Sequence, residues 1–338
     1  MGPPIWVSTC THQFIFPEHF AERTRQKRII ALFLDICPMF HIVYGLFYLL
    51  SLLPYRVMYM VSDGVYVLLF YVFRYRKKMV LNHLAQTFPD KSPEERMGIA
   101  KRFYRNFTDV WVEMIKIFSM TASDAAKRMK FDSSLAEQWY ATGKSVQIVG
   151  GHFMNWEYLP VAMPIFQPFP AIAIYMRLKS PIMDKLVFRL RSRFGMIMLR
   201  AGNMQEEIKP WLDKQYLMIV GADQSPSNPD SAYWLNFCNK PAGFIKGPWI
   251  RAARQGQPYI YMTIRKPKRG HYEFKMYPFA DNPADFSPEE LVRKFAATLE
   301  DDIRQMPDLY LWTHNRWKKP WKTEYVKKWV DTAPPPVN

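Results

Sequence analysis

The sequence predicts an α/β fold in which a mixed β-sheet is flanked by helices, with one or more hydrophobic helices ahead of it. Two observations carry this prediction. Short apolar segments alternate with helical ones between residues 145 and 305, as expected when helices cover the faces of one sheet. Residues 41–73 are instead apolar almost throughout, which is typical of membrane segments or of deeply buried helices.

The first 38 residues form an N-terminal extension whose status the sequence leaves open. They show no clear period and contain a basic run, RTRQKR, at 23–28. This run could be the positive flank of a membrane segment. Equally, the extension could be an over-extended start of translation, since Met39 opens a cleaner N-terminus.

Residues 39–78 are predicted to anchor the protein to a membrane. Two apolar stretches lie on either side of Pro54, and the basic cluster RYRKK follows at 74–78. A single span needs about 20 apolar residues, and each stretch is slightly short or carries Ser62 and Asp63. A pair of buried core helices is therefore a second interpretation. The basic cluster and the flanking tyrosines favour an anchor with a cytoplasmic exit, either as one tilted span or as a span with a surface helix.

The chain is predicted to continue as one domain over 79–332 and to end in a disordered, proline-rich tail at 333–338. Its first and last helices, at 92–119 and from 287 to about 305, both begin with Ser-Pro-Glu-Glu, a capping box with proline at the first helical position. Strands between them are predicted at 145–149, 171–176, 196–199, 217–220, 259–264 and 272–277. Further helices are predicted at 156–166, 181–194, 204–213 and 244–255. The last two strands flank Arg269-Gly270 and should form an antiparallel hairpin.

The net charge of +16 predicts an anionic partner. An anionic membrane face or a phosphorylated substrate fits such a surface. No nucleic-acid motif accompanies the basic runs, so no nucleic-acid partner is expected. The three cysteines form neither a CxxC motif nor an even disulfide set, which favours a reducing compartment. No H-E-x-x-H motif or second clustered ligand pair occurs, so neither a metal nor another cofactor is expected.

The stretch GGHFMNWEY holds the candidate chemistry. Gly150 and Gly151 follow a short apolar strand and allow a tight turn and close backbone approach. His152 then lies past the carboxyl end of that strand, where open α/β sheets place ligands. Asn155 can cap the following helix, and Glu157 in its first turn could accept a hydrogen bond from one ring nitrogen, which would make the other nitrogen a general base. A capped turn with an ordinary histidine explains the same residues.

The segment GHFMNWE at 151–157 resembles the H-x-x-x-x-[D/E] motif of glycerolipid acyltransferases. It is still more similar to the HFGNWE form found in the lauroyl and myristoyl (late) acyltransferases of lipid A biosynthesis. Residues 49–107, 174–195, 220–260 and 301–318 resemble that family's other blocks, in the same order. The resemblance covers about residues 40–320 and is strongest toward members from Bacteroidetes-type bacteria.

The resemblance implies a glycerolipid-acyltransferase-like fold and an enzyme of the bacterial inner membrane, with its catalytic domain on the cytoplasmic side. Such an enzyme moves a fatty acyl chain from an acyl-carrier-protein thioester to a hydroxyl of a lipid A precursor. His152 matches the general base and Glu157 its acidic partner. Arg177, Asp223 and Gln224 match substrate-binding positions, although many members have Tyr-Arg-Pro where this chain has Tyr-Met-Arg.

Lys179 and Asn155 are further candidates for substrate binding, and the backbone N–H groups of Gly150 and Gly151 are candidates for an oxyanion hole. A sister acyltransferase that acts on an aminolipid, a lysophospholipid or a glycolipid fits the same motifs. A non-catalytic, membrane-anchored lipid-binding protein of the same fold is the alternative from another class. Acyl-chain length, the acceptor hydroxyl and the choice between carrier-protein and coenzyme A donors stay open.

Overall fold

The computed structural model describes residues 38–336. Contacts divide the chain into two compact units, Met1–Gly45 and Leu46–Asn338. The first unit is described only from residue 38 onward, where it is helical, so the expectations for the extension lie outside the described residues. All strands of the described chain belong to the second unit.

Two hydrophobic helices open the described chain. They are α1 (Pro38–Leu52) and α2 (Tyr55–Val67), and a π-helical turn over Leu68–Val72 extends α2. Between residues 38 and 336, no single helix has the length and apolar composition needed to cross a membrane. The pair Pro38–Leu52 and Tyr55–Val72, bent by 110°, meets those two criteria only when taken together. The membrane anchor therefore stays a prediction.

The helix α2 has two different faces. Its polar side chains lie against the rest of the second unit, where Ser62 Oγ donates to Asp109 Oδ1 at 2.8 Å and Asp63 pairs with Arg269 at 2.8 Å. On other sides of the helix, apolar side chains are open to solvent, with Met60 73% exposed. The polar residues that interrupt the apolar stretch thus serve tertiary contacts, and one helix combines a buried face with an exposed apolar face.

Helices occupy much of the chain between and after these segments. They are α3 (Lys77–Thr87), α4 (Pro93–Lys116), α5 (Ala122–Arg128), α6 (Ser134–Ala141), α7 (Leu159–Phe166), α8 (Pro181–Ser192), α9 (Met204–Glu207), α10 (Gly247–Gln255) and α11 (Pro288–Gln305). Both predicted capping boxes are confirmed, because Ser92 with Glu95 and Ser287 with Glu290 exchange side-chain and backbone hydrogen bonds at the starts of α4 and α11.

Seven strands form one mixed sheet in the order β1-β9-β8-β2-β5-β3-β4. Between residues 38 and 336 the strands are β1 (Met129–Phe131), β2 (Val146–Gly150), β3 (Ala171–Tyr175), β4 (Ile197–Arg200), β5 (Leu217–Gly221), β6 (Ala232–Phe237), β7 (Lys240–Ile245), β8 (Tyr259–Lys268) and β9 (His271–Ala280). The strands β8, β2, β5, β3 and β4 are parallel, whereas β9 is antiparallel to β8. A mostly parallel sheet with helices, and the β8–β9 hairpin, are confirmed.

The sequence-based assignment was wrong between 232 and 246. A two-stranded antiparallel ribbon, β6–β7, occupies this region, so the helix predicted to start at 244 begins only at Gly247. The strand signal was weak because Pro241 and Gly243 lie inside β7. The turn was also hidden, since Cys238 and Asn239 adopt positive φ angles of 49° and 63°, a conformation for which cysteine is unusual.

Candidate active site

The register of the sheet brings His152 and Asp223 together. The strands β2 and β5 are parallel neighbours, and Gly150 pairs with Gly221 at their carboxyl ends. Each candidate side chain lies two residues beyond its glycine, so both emerge at the same edge of the sheet. This edge is where parallel sheets present ligand-binding residues.

The carboxylate of Asp223 holds His152 at two points. The backbone N–H of His152 donates to Oδ2 at 2.8 Å, and ring Nδ1 lies 2.5 Å from Oδ1. Asp223 is only 2% exposed, so little water competes for these bonds. Because a carboxylate only accepts, the ring proton resides on Nδ1 and the lone pair of the neutral imidazole on Nε2.

The two groups shift each other's pKa. Burial alone lowers the pKa of His152, but the charge of Asp223 and its hydrogen bond outweigh burial and raise the pKa above its ordinary value. For Asp223, burial raises the pKa, yet the charge of His152 and the bonds that it donates bring the pKa below its ordinary value. An imidazolium that forms at His152 is therefore stabilised by its partner.

The predicted hydrogen bond between His152 and Glu157 is wrong. Both carboxylate oxygens of Glu157 bind Arg191 of α8, with Nε–Oε2 at 3.0 Å and Nη2–Oε1 at 2.5 Å. Trp156 Nε1 also donates to Oε1 at 3.0 Å. The carboxylate of Glu157 is therefore occupied by Arg191 and Trp156 and does not accept from the imidazole. Glu157 still acts on His152 through its charge, which raises the pKa of the imidazole.

Asn155 caps the turn as predicted. Its Oδ1 accepts from the backbone N–H of Glu157 at 2.9 Å, and its Nδ2 donates to Glu113 Oε2 at 2.9 Å. The side chain is fully buried, and its Oδ1 and Nδ2 each have a protein partner. A direct contact of Asn155 with substrate stays a prediction that this arrangement does not favour.

Gln224 lies beside the free nitrogen of the histidine. Its Nε2 is 3.3 Å from His152 Nε2. The next residue along, Ser225, donates its backbone N–H to His314 Nε2 at 3.0 Å. Residues that follow β5 therefore contact both ring nitrogens of His152: Asp223 binds Nδ1, and Gln224 lies next to Nε2.

Arg177 and Lys179 do not reach this cluster. Both lie exposed in the loop after β3, and within residues 38–336 neither makes a hydrogen bond or an ion pair. The arginine that the fold delivers to the site is Arg191, one of several basic residues in the same block. Nothing in the local sequence set it apart, because its position depends on how α8 packs. Substrate binding by Arg177 and Lys179 stays a prediction.

Gly150 and Gly151 both lie where a Cβ would collide with neighbouring atoms, with backbone at Gly150 and with side chains at Gly151. A Cβ on Gly150 would lie 2.4 Å from the backbone oxygen of Met262, and one on Gly151 would lie 2.4 Å from Cδ1 of Leu299. Real Cβ atoms do not approach other heavy atoms so closely. The predicted close backbone approach is thus present, and the oxyanion role of the two N–H groups stays a prediction.

A buried carboxylate behind the turn was missed by sequence reasoning. Glu113 of α4 is fully buried and accepts from Tyr59 OH at 2.8 Å, from Tyr272 OH at 2.7 Å and from the side chain of Asn155. Burial raises its pKa above the ordinary value. Because Glu113 accepts from Tyr59 of α2 and from Asn155, it connects the hydrophobic helix α2 to the turn that carries His152. A mid-helix glutamate on an apolar face was the one available signal.

The C-terminal block, residues 301–318, packs against the turn that carries His152. Leu311 donates its N–H to the carbonyl of His152 at 3.1 Å, and Met154 donates to Leu309 at 2.9 Å. Arg316 is 2% exposed, and none of its guanidinium nitrogens has a hydrogen-bond partner within the described part of the chain. Its charge contributes to the lowered pKa of Asp223.

A cavity of about 600 Å³ opens beside the histidine. Its charged and polar lining includes His152, Glu157, Arg191 and Gln224, together with Gln147 and Arg251. Five methionines contribute to its apolar lining, namely Met176, Met196, Met198, Met218 and Met262. Methionine side chains are flexible and adapt to apolar ligands of different shape. The volume lies within the range of about 300–1,000 Å³ that is usual for small-molecule sites.

The family model for "Bacterial lipid A biosynthesis acyltransferase" matches residues 26–319. The chain belongs to this family. It is 24% identical over 279 residues to the lipid A biosynthesis lauroyltransferase of Escherichia coli (strain K12), covering 81% of this chain and 89% of that protein. It is 23% identical over 292 residues to the lipid A biosynthesis palmitoleoyltransferase of the same organism, with the same coverage. The lipid A biosynthesis acyltransferase of Shigella flexneri matches to the same extent.

The resemblance inferred from GHFMNWE and its ordered neighbours is confirmed, and the protein is an acyltransferase. The family match begins at residue 26, earlier than the limit near residue 40 expected from the motifs. The family model therefore covers part of the N-terminal extension. Within residues 38–336 of this acyltransferase, no group of three or more His, Cys, Asp or Glu side chains could hold a metal ion.

Proposed function

We propose that this acyltransferase moves a fatty acyl chain from an acyl-carrier-protein thioester to a hydroxyl of a lipid A precursor, with His152 as the general base. The observation that carries the proposal is the His152–Asp223 pair at the edge of a cavity rich in methionine. A base without a charged partner would be a weaker acceptor, and a polar pocket would not hold a hydrocarbon chain.

The reaction needs one proton acceptor and no covalent enzyme intermediate. Nε2 of His152 takes the proton of the acceptor hydroxyl while that oxygen attacks the thioester carbonyl. A tetrahedral oxyanion forms, its C–S bond then breaks, and the imidazolium returns the proton to the departing thiolate. Asp223 keeps the ring in the tautomer that exposes Nε2 and stabilises the imidazolium.

The side chains around the base suggest donors for the oxyanion. Gln224 faces Nε2 in the free enzyme, so an arriving hydroxyl would replace it there and leave its amide free to donate. The backbone N–H groups near Gly150 and Gly151 are further candidates. Glu157 contributes by its charge and by fixing Arg191, which also lines the cavity.

The proposed location is the cytoplasmic side of the bacterial inner membrane. The exposed apolar face of α2 and the basic residues that follow it support this location. Apolar side chains next to basic ones suit a membrane surface, where acyl chains adjoin anionic headgroups. The lipid A names of the relatives support the acceptor, since both relatives from Escherichia coli act in lipid A biosynthesis by name.

The test is an acyl-transfer assay on membranes that contain the protein, with labelled lauroyl–acyl carrier protein and a lipid A precursor. The proposal predicts a labelled lipid A product, and little product when lauroyl–coenzyme A replaces the carrier-protein donor. Parallel reactions offer a lysophospholipid and an aminolipid. Acylation of one of those lipids alone would overturn the proposed acceptor, and tight lipid binding without turnover from either donor would overturn the proposed reaction.

A further inference from the structure

A second cavity lies away from the catalytic cavity, at the point where the hydrophobic helices end. It has a volume of about 540 Å³ and is lined by residues from the start of α3, from β7 and from the C-terminal block. Its charged lining residues are Arg74, Arg76, Lys77, Lys78 and Lys240, and we call this group the basic basin. Asn82, Gln86 and Asn315 also line it.

The charge of the basic basin is one-sided. Five of its lining residues are Lys or Arg, and no Asp or Glu lines it within the described residues. His83 adds no charge near neutral pH, since burial and the nearby Lys240 lower its pKa to about 4. Cations that face each other without a carboxylate repel, so an anion bound among them relieves this repulsion.

Some members of the basin are fixed and others are available. Arg76 Nη1 donates to the carbonyl of Thr313 at 2.6 Å, and Lys77 Nζ lies 3.9 Å from the ring centre of Phe70. Arg74, Lys78 and Lys240 have no side-chain partner among residues 38–336, and all three are exposed. Arg76 and Lys77 are thus held in place by neighbouring groups, whereas the side chains of the other three cations are available to bind an anionic group.

The backbone entering the basin is unusual. Arg74 and Arg76 have φ angles of 49° and 51°, a left-handed conformation that non-glycine residues rarely adopt. Such conformations persist only where the surroundings hold them, and they often occur at functional positions. Here they bring the basic cluster back toward α3 directly after the π-helical turn.

The neighbouring surface indicates what kind of anion fits. Tyr71, Val72 and Phe73 immediately precede the basin and are 49%, 61% and 69% exposed. An apolar surface that borders a pocket of cations has the polarity profile of a lipid, whose acyl chains and phosphate are covalently joined. An acidic protein surface would match the cations but not the adjoining exposed apolar side chains.

We propose that the basic basin binds the phosphate group of an anionic membrane phospholipid. The exposed apolar residues before Arg74 contact its acyl chains, and the free cations contact its phosphate. The basin is connected to His152 through the backbone of residues 311–313. Arg76 donates to the carbonyl of Thr313, His83 Nδ1 lies 3.3 Å from the carbonyl of Trp312, and Leu311 donates to the carbonyl of His152. The inference does not depend on the acyl-transfer reaction.

The test is calorimetric titration of the full chain, purified in an uncharged detergent, with dihexanoyl phosphatidylglycerol as the probe. Dihexanoyl phosphatidylcholine and inorganic phosphate are titrated in parallel. The basin variant carries Arg74→Gln, Lys78→Gln and Lys240→Gln. Loss of three cations predicts binding about 100-fold weaker than in the wild type.

Two matched variants make the result interpretable. Lys127→Gln, Lys144→Gln and Lys214→Gln together remove the same charge from exposed positions elsewhere and should leave binding unchanged. Arg74→Lys, Lys78→Arg and Lys240→Arg together keep the charge and should retain binding, which also shows that a loss in the basin variant reflects charge.

Three outcomes would overturn the inference. Equal affinity of the basin variant and the wild type for the phosphatidylglycerol probe would exclude the basin as its site. Equally tight binding of inorganic phosphate would mean a site for free anions. Unchanged lipid binding with a raised KM for acyl carrier protein in the basin variant would make the basin a protein-docking surface instead.

Discussion

Replacing Asp223 by Asn removes one charge from the site while keeping the size of the side chain. In the wild type, the carboxylate accepts from the backbone N–H of His152 at 2.8 Å and from ring Nδ1 at 2.5 Å. An asparagine has one acceptor and one donor. If its oxygen keeps the backbone bond, its NH₂ group faces Nδ1, and the ring proton must move to Nε2.

The consequence is a base with its lone pair on the wrong nitrogen. General-base assistance is worth about 10²–10⁴-fold in rate, so D223N should lose about that factor in kcat, or about 3–5 kcal/mol of barrier lowering. Acyl transfer from labelled lauroyl–acyl carrier protein measures this directly. D302N is the matched control, because Asp302 is also a buried aspartate but accepts from Tyr261 OH at 2.9 Å and not from the histidine.

The pH profile gives a second readout of the same substitution. The base must be neutral to act, so kcat/KM of the wild type should rise with pH as His152 loses its proton. Asp223 raises the pKa of His152 against the effect of burial. Without that carboxylate, the charge of Glu157 still raises the pKa of His152, but the larger effect of Asp223 against burial is lost. The rising limb of the D223N profile should therefore move to lower pH. A D223N enzyme with a wild-type rate and an unshifted limb would refute the assignment of Asp223 as the partner of His152.

Three further substitutions probe the surroundings of the base. Glu113→Ala removes the acceptor of two buried donors, on Tyr272 and Asn155, and of the half-buried Tyr59 hydroxyl. It should lower the free energy of unfolding by about 3 kcal/mol or more, measured by urea unfolding in detergent. Gly150→Ala forces a Cβ to within 2.4 Å of a backbone oxygen and should abolish folding or activity, measured by thermal unfolding and acyl transfer. Ala173→Phe fills part of the cavity and should shift the product toward shorter acyl chains, measured by mass spectrometry of products from mixed acyl donors.

Each of these substitutions has a control on the same chain. Glu94→Ala changes an exposed glutamate in the first turn of α4, Gly202→Ala adds a Cβ with nothing within 4 Å, and Ala126→Phe enlarges an exposed alanine. If the Glu113 variant unfolds at the same urea concentration as its control, the hydrogen bonds to Glu113 do not stabilise the fold as expected. A stable, active Gly150 variant would contradict the close packing, and an unchanged chain-length profile for Ala173→Phe would remove the cavity as the acyl site.

Local signals predicted the elements that carry the site. The apolar run before Gly150 is β2, and the two Ser-Pro-Glu-Glu segments are the starts of α4 and α11. These features depend on residues close in sequence, namely a strand followed by glycines and a side chain that caps its own helix. His152 was located for the same reason, because its position follows from the end of its own strand.

The hydrogen-bond partners of His152 come from distant parts of the chain, and the prediction of Glu157 as its partner was wrong. Glu157 is five residues from His152, but Asp223 reaches the ring through the pairing of β2 with β5, 71 residues further on. Arg191 and Glu113 likewise arrive through the packing of α8 and α4. Sheet register and helix packing arise from the whole core, so spacing along one segment could not show which carboxylate faces the imidazole.

The rate of acyl transfer by His152→Ala, compared with the wild type under saturating donor and lipid A precursor, is the most direct test of His152 as the general base. The variant should unfold at the same temperature as the wild type, because the side chain of His152 is partly exposed at the cavity edge and its loss leaves little buried space. This is measured first. If His152 is the general base, kcat should fall by about 10²–10⁴-fold. A folded His152→Ala enzyme that transfers acyl chains at close to the wild-type rate would contradict it.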